Sequence, residues 1–157
     1  MKKKYLTLSL LALSLFVTLP AFAQVTQLTS SGNPNVSYLK STSIGLLFSA
    51  SNTNEGFEPY ISNGTVSGTF KIAEINTTNN GTNYSSLIGD PNFTEMNGLV
   101  YFGAGNSVNN IELWVTDGTN AGTNIVKEIA PSLNSSSNPY FLTTLNGRVL
   151  CLKRIFW

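Results

Sequence analysis

A twelve-residue pattern occurs twice in this chain: Glu58-Pro-Tyr-Ile-Ser-Asn-Gly-Thr-Val-Ser-Gly-Thr69 returns 54 positions later as Glu112-Leu-Trp-Val-Thr-Asp-Gly-Thr-Asn-Ala-Gly-Thr123. Extended without gaps over Glu58 to Ile75 and Glu112 to Ile129, the copies share 7 identities in 18 positions, and 6 further pairs are conservative, among them Tyr60/Trp114, Asn63/Asp117 and Ser67/Ala121. A period near 50 residues demands units that stack or are arranged radially, because a segment that short cannot bury a core by itself. The repeat constrains architecture far more tightly than it constrains activity.

The two halves of the pattern have different physical jobs. Ile111-Glu-Leu-Trp-Val-Thr116 is β-branched and aromatic, which favours a pleated strand with Glu112, Trp114 and Thr116 on one face and Leu113 and Val115 on the other. Asp117-Gly118, and Asn63-Gly64 in the first copy, then break the strand: glycine reaches positive φ without penalty and the Asp or Asn side chain accepts a bond from the backbone two residues on. Asp117 is therefore read as a turn former rather than a catalytic or metal-binding carboxylate. After Gly122 or Gly68, the segments Asn124 to Ile129 and Phe70 to Ile75 read as the returning strand of a hairpin.

The period extends beyond the hairpin. Leu47-Phe-Ser-Ala50 matches Tyr101-Phe-Gly-Ala104 at the same offset, and Asn138-Pro-Tyr-Phe-Leu-Thr-Thr-Leu-Asn146-Gly147 parallels Asp90-Pro-Asn-Phe-Thr-Glu-Met-Asn97-Gly98 with the Asn-Gly pairs 49 residues apart. Unit two then holds strands at Phe93 to Met96, Leu99 to Ala104, Ile111 to Thr116 and Asn124 to Ile129, followed by a polar crossing segment from Ser132 to Asn138. Four antiparallel strands in about 50 residues is the size of a propeller blade. The expected fold class is all-β, with antiparallel four-stranded, propeller-blade-like repeats: unit one over about 33–89, unit two over about 90–137, and a partial unit three over about 138–157. About two and a half units fall short of a closed propeller, which needs at least four blades. The end of the chain departs from the period as well, with Val149-Leu-Cys-Leu-Lys153 where unit two has Val100-Tyr-Phe-Gly-Ala104, then Arg154 to Trp157. That departure reads as an off-register tail on a fragment of a longer repeat protein, with edges exposed to self-association.

Glu112-Leu-Trp-Val-Thr-Asp-Gly-Thr-Asn-Ala-Gly-Thr123 resembles the signature of the ELWxxDGT repeat family, long secreted or surface proteins of bacteria, often of the Bacteroidetes type. The resemblance covers roughly residues 30 to 150, including Val126-Lys-Glu-Ile129, while the first copy departs from the pattern at Pro59, Tyr60 and Asn63. It implies a propeller-like all-β architecture and a secreted setting, and it carries over no catalytic residues. Such proteins commonly end in a sorting domain for the type IX secretion pathway, to which nothing here is comparable.

Residues 1–23 have the three regions of a secretory signal peptide: Lys2-Lys3-Lys4, an uncharged apolar stretch from Tyr5 to Leu19, and Ala21-Phe-Ala23. An apolar stretch of about 15 residues is shorter than the ~20 that span a bilayer, so cleavage leaving Gln24 first is expected rather than an integral membrane anchor. The expected destination is secreted or cell-surface, with the periplasm as an alternative. Without the three leader lysines, six basic residues face eight acids, and no basic run remains that would neutralise nucleic-acid phosphates. Asn, Ser and Thr fill 50 of residues 24–157, as suits short strands joined by polar turns. A single cysteine, Cys151, permits no internal disulfide.

The absence of histidine from the sequence excludes Ser-His-Asp, Cys-His and histidine-zinc sites. A glycosidase would need two facing carboxylates from Glu55, Glu58, Glu74, Asp90, Glu95, Glu112, Asp117 and Glu128, yet Glu58/Glu112 and Glu74/Glu128 recur at equivalent positions, which points to repeated structural roles. No catalytic, cofactor-binding or metal-ligating residue is assigned; calcium at turn carbonyls near Asp117-Gly118 or Asn79-Asn80-Gly81 is the weaker alternative. Phe48, Tyr60, Tyr101, Phe102 and Trp114 form either a sugar-stacking platform or, as aromatics at matching positions favour, packing between units. The leading expectation is a non-catalytic binding module for a glycan or protein at the cell surface. The alternative is part of an extracellular propeller-type hydrolase or lyase acting on glycans.

Overall fold

A computed structural model describes residues 35–51, 56–76, 85–106, 110–130 and 135–153. The leader and its cleavage site, the Asn79-Asn80-Gly81 turn, Glu55 and residues 154–157 lie outside them. Among the described residues there are only strands, in three antiparallel sheets, none closed on itself. The first is β1 (Asn35–Thr42), β2 (Gly45–Ser51), β3 (Glu58–Ser62) and β4 (Thr69–Lys71), paired in chain order. The second repeats that order with β5 (Thr94–Met96), β6 (Leu99–Gly105), β7 (Ile111–Thr116) and β8 (Asn124–Lys127). The third is the hairpin of β9 (Pro139–Leu145) and β10 (Arg148–Lys153).

The sequence period is reproduced in the hydrogen-bond register. Leu46 opposes Ser62 and Ala50 opposes Glu58 in the first sheet, while Val100 opposes Thr116 and Ala104 opposes Glu112 in the second, each residue displaced by 54. Two tight turns follow from Asn-Gly. Asn97 and Gly98 lie at φ 53° and 76°, and Asn146 and Gly147 at 49° and 70°, the left-handed pair that two-residue hairpins between twisted strands require. Leu152 and Lys153, where the sequence period decays, still pair with Tyr140 and Pro139 in the ladder.

The returning strands are shorter than the sequence patterns imply. The ladder stops at Lys71 and Lys127, and the chain continues as irregular backbone through Ile75 and Ile129. The cause is the same in both units: the amides of Ile75 and Ile129 leave the ladder to donate to the carboxylates of Glu58 and Glu112. The apolar residues of the first such segment still go inside, with Ile72, Ala73 and Ile75 buried.

The main core lies between the two four-stranded sheets. Leu47, Ile61, Ile72, Ala73, Ile75 and Leu87 meet Phe93, Val100, Phe102 and Ala104 in one buried cluster, with Ile44, Phe57 and Trp114 packed against it. Neither unit encloses a core of its own, as expected of repeats this short. The third sheet joins through β9, where the Thr94 hydroxyl donates to the Leu142 carbonyl at 3.2 Å and Pro139 packs over Gly103.

Candidate functional site

The repeated pattern closes a loop upon itself. In unit two, Asp117 Oδ1 accepts from the Thr119 amide at 2.8 Å and its hydroxyl at 2.7 Å; Thr119 Oγ1 in turn accepts from the Gly122 amide at 3.0 Å. The Thr123 hydroxyl donates to the Thr119 carbonyl at 2.6 Å and lies 2.8 Å from Thr116 Oγ1, which accepts the Gly118 amide. Unit one has the same network one for one: Asn63, Thr65, Gly68, Thr69, Ser62 and Gly64 take the corresponding places. The second glycine is required by proximity, since a Cβ on Gly122 or Gly68 would land inside the Asp117 or Asn63 side chain. Bonding with Thr119 holds the Asp117 carboxyl below its ordinary value. Its Oδ1 is thus committed to the turn, as its sequence setting implies.

The loop of unit two also fastens one sheet to the next. A Cβ on Gly118 would stand 3.0 Å from Ile61 Cδ1 and 3.5 Å from Ile44 Cδ1, and Asn120 Nδ2 donates to the Ile72 carbonyl at 3.3 Å.

Glu58 and Glu112, fully buried at the start of the third strand of each sheet, form the second repeated device. Glu112 accepts the amides of Ile129 (2.9 Å), Ala130 (3.3 Å) and Ser137 (3.1 Å). Glu58 accepts the amides of Ile75 (3.1 Å) and Ser86 (3.3 Å) and the Ser86 hydroxyl (2.6 Å). Each carboxylate therefore pins the end of the fourth strand to the segment leading to the next unit. Desolvation pushes the Glu58 carboxyl up from 4.5 to about 7, against the opposing pull of the Ser86 hydroxyl and the Ile75 amide. Because the folded protein binds this proton more tightly than the unfolded chain, the contribution of Glu58 is full below pH 4.5 and is lost as pH rises through 7. Asp117 and Glu95, whose carboxyls are lowered, oppose this only below the ordinary carboxylate range. The melting temperature should therefore carry a component that falls between pH 5 and 8. Glu58→Gln should remove that component, and an identical pH slope in the variant would refute the assignment.

The other candidates are dispersed. Glu74 pairs with Lys71 at 2.5 Å. Glu95 accepts from Ser43, whose hydroxyl and amide lower its carboxyl, and Glu128 is exposed. Among the described residues no three His, Cys, Asp or Glu side chains gather as a metal site. Phe48 and Phe102 are buried; Phe48 stacks on Tyr60 with ring centroids 5.7 Å apart, and Phe102 meets Phe93 in a tilted pair at 5.5 Å. Trp114 packs against the core. Phe93, Phe102 and Trp114 thus belong to the core between the sheets, whereas Phe48 and Tyr60 pair across neighbouring strands of the first sheet.

A cleft of about 320 Å³ opens instead where the first strands of the three sheets converge. Tyr38, Leu39 and Lys40 line it from β1, Asp90, Asn92, Phe93 and Thr94 from the approach to β5 and its first residue, and Leu142 from β9. Here the repeat has a third feature, invisible in side-chain identity. Tyr38, Asn92 and Phe141 have φ of 55°, 54° and 56°, and they are spaced by the same 54 and 49 residues as the units. In β1 and β9 this residue lies in a bulge that adds one residue to the strand. Asparagine tolerates the left-handed region, but for tyrosine and phenylalanine it costs roughly 1–3 kcal/mol. The bulge turns Tyr38 outward, 45% exposed, at the rim of the cleft. Asp90 accepts the Asn92 amide at 2.8 Å and is the one carboxylate in the cleft lining. A ring face, an ammonium, a carboxylate, an amide and a hydroxyl within one cleft suit a ligand rich in hydroxyl groups.

No family model, curated protein or solved structure matches this chain.

Proposed function

We propose that the chain is a secreted, non-catalytic β-repeat module of the ELWxxDGT kind, whose sheets are propeller-type blades and whose first-strand cleft binds a glycan at the cell surface. The observation that carries the binding reading is the division of labour within each unit. The signature residues are consumed in loop closure and strand anchoring, while Tyr38, held at φ 55° and 45% exposed, meets Asn92, its equivalent in unit two, at the cleft. Non-signature residues that meet at a cleft at a backbone cost are the expected mark of a binding surface. The carboxylates favour binding over hydrolysis: Glu58 and Glu112 are buried among amide donors, and Asp90 stands without a second acid in the cleft lining.

A glycan array run beside a broad glycoside hydrolase and lyase screen on the full chain tests the reading. Binding without turnover is expected, with Tyr38→Ala weakening it at least tenfold and by far more than its effect on the melting temperature, since the ring is half-exposed at the rim of the cleft. Turnover of any glycan, or binding indifferent to Tyr38→Ala, would transfer the function elsewhere.

A further inference from the structure

Architecture in this chain is written in residues that recur with the period, yet the two charged side chains of the first-strand cleft do not recur. Lys40 stands where unit two has Thr94, and Asp90 stands where unit one has Val36 and unit three has Asn138. Both line the cleft, and no other charged residue does. Lys40 is exposed and follows directly on the bulge that adds a residue to β1. Its ammonium makes no ion pair among the described residues; it draws the Glu95 carboxyl down from a distance, while that carboxylate bonds to Ser43. Asp90 commits one carboxylate oxygen, Oδ1, to the Asn92 amide at 2.8 Å, and its backbone carbonyl accepts the Asn92 side-chain amide at 3.1 Å. Its second oxygen, Oδ2, has no partner among the described residues. An ammonium and a carboxylate thus border one cleft without meeting.

We propose that the cleft selects a zwitterionic glycan, one whose sugars carry both a protonated amino group and a carboxylate. The inference rests on the glycan reading of the cleft and names the class of glycan. The Asp90 carboxylate receives the ammonium of an amino sugar, the Lys40 ammonium receives the carboxylate of a uronic acid, and the Tyr38 ring at the rim covers a sugar face. A purely anionic glycan meets the unpaired Asp90, a purely cationic one meets Lys40, and a neutral one leaves both charges to water. Selectivity therefore comes from the penalty on the wrong charge as much as from the gain on the right one. Each ion pair is exposed and screened by salt, so each changes affinity by a factor of up to about five, and the two together give about tenfold. The failure of both charges to recur fits this role: scaffold contacts are needed in every unit, whereas a cleft shared by three units needs its charged groups only once.

The probes are forms of one oligosaccharide of alternating uronic acid and N-acetylhexosamine: the anionic parent, its zwitterionic N-deacetylated form, its neutral carboxyl-reduced form, and the cationic form treated both ways. Each is titrated calorimetrically into the full chain at mildly acidic pH, where the amino sugar carries its proton. The zwitterionic form should bind about tenfold more tightly than the neutral form, and more tightly than either singly charged form. Lys40→Gln should bring the zwitterionic form down to the affinity of the cationic one. Asp90→Asn, which keeps an acceptor for the Asn92 amide, should bring it down to that of the anionic one. Equal binding of all forms, tightest binding of a singly charged form, or a loss spread evenly over every form in both variants would overturn the inference, while Tyr38-dependent binding would still uphold the glycan reading. No binding of any form, with other glycans bound on the array, overturns the inference alone; no glycan bound at all overturns both.

Discussion

Replacing Glu112 with alanine is expected to lower the unfolding free energy by about 3–5 kcal/mol. Two backbone amides, of Ile129 and Ala130, would lose the carboxylate acceptor, and that of Ser137 would keep only the Ile111 carbonyl; each stranded buried donor costs about 1–3 kcal/mol before relaxation. The cost exceeds that of a cavity of the same size because the carboxylate joins segments 17 and 25 residues away in sequence, so both can fray together. Glu112→Gln should fall between wild type and alanine. Its carbonyl retains one side of the acceptor set and its amide nitrogen faces a donor on the other. Chemical denaturation of the three proteins checks the order; a glutamine variant as unstable as alanine would mean that shape rather than acceptance holds the site.

The second large effect is expected at Gly118. Valine there meets two penalties: a β-branched side chain at φ 91°, and a Cβ driven against Ile61 and Ile44 of the preceding sheet. Backbone strain and overpacking together amount to about 2–4 kcal/mol. Gly64, its counterpart in unit one, sits at φ 89° with nothing within 4 Å of its would-be Cβ. Gly64→Val should therefore cost strain alone, and the difference between the two variants measures how tightly the loop is seated. Equal losses in thermal melts would remove the interlock and leave two independent turns.

Much of this arrangement is legible in the residues because it rests on local chemistry. The strand at Ile111 to Thr116 follows from its β-branched and aromatic content, the Asn97-Gly98 and Asn146-Gly147 turns from two residues tolerant of positive φ, and the structural role of Glu58 and Glu112 from their recurrence. The early end of β4 and β8 is not, because the amides of Ile75 and Ile129 are drawn away by carboxylates far off in sequence. β1 begins without any repeated side-chain signal, and it pairs because β2 presents an edge. The cleft is least legible of all. Tyr38, Asn92 and Phe141 share no side-chain chemistry, only a backbone angle set by a bulge, so no comparison of residue types aligns them. Aromatic content misdirects in the same way: Phe48 and Phe102 repeat because they pack, whereas the exposed ring at the cleft is Tyr38.

The seating of the second loop on the first sheet gives chain synthesis a direction. Ile44, Ile61 and Ile72 leave the ribosome well before Gly118 and Asn120. The socket is thus made before the plug, and at ordinary elongation rates of about 5–20 residues per second several seconds separate them. A first sheet that has already condensed offers the emerging loop a template. Assembly by this rule runs from the first sheet to the second, so that the order of synthesis itself favours seating of the second loop on the isoleucines of the first sheet.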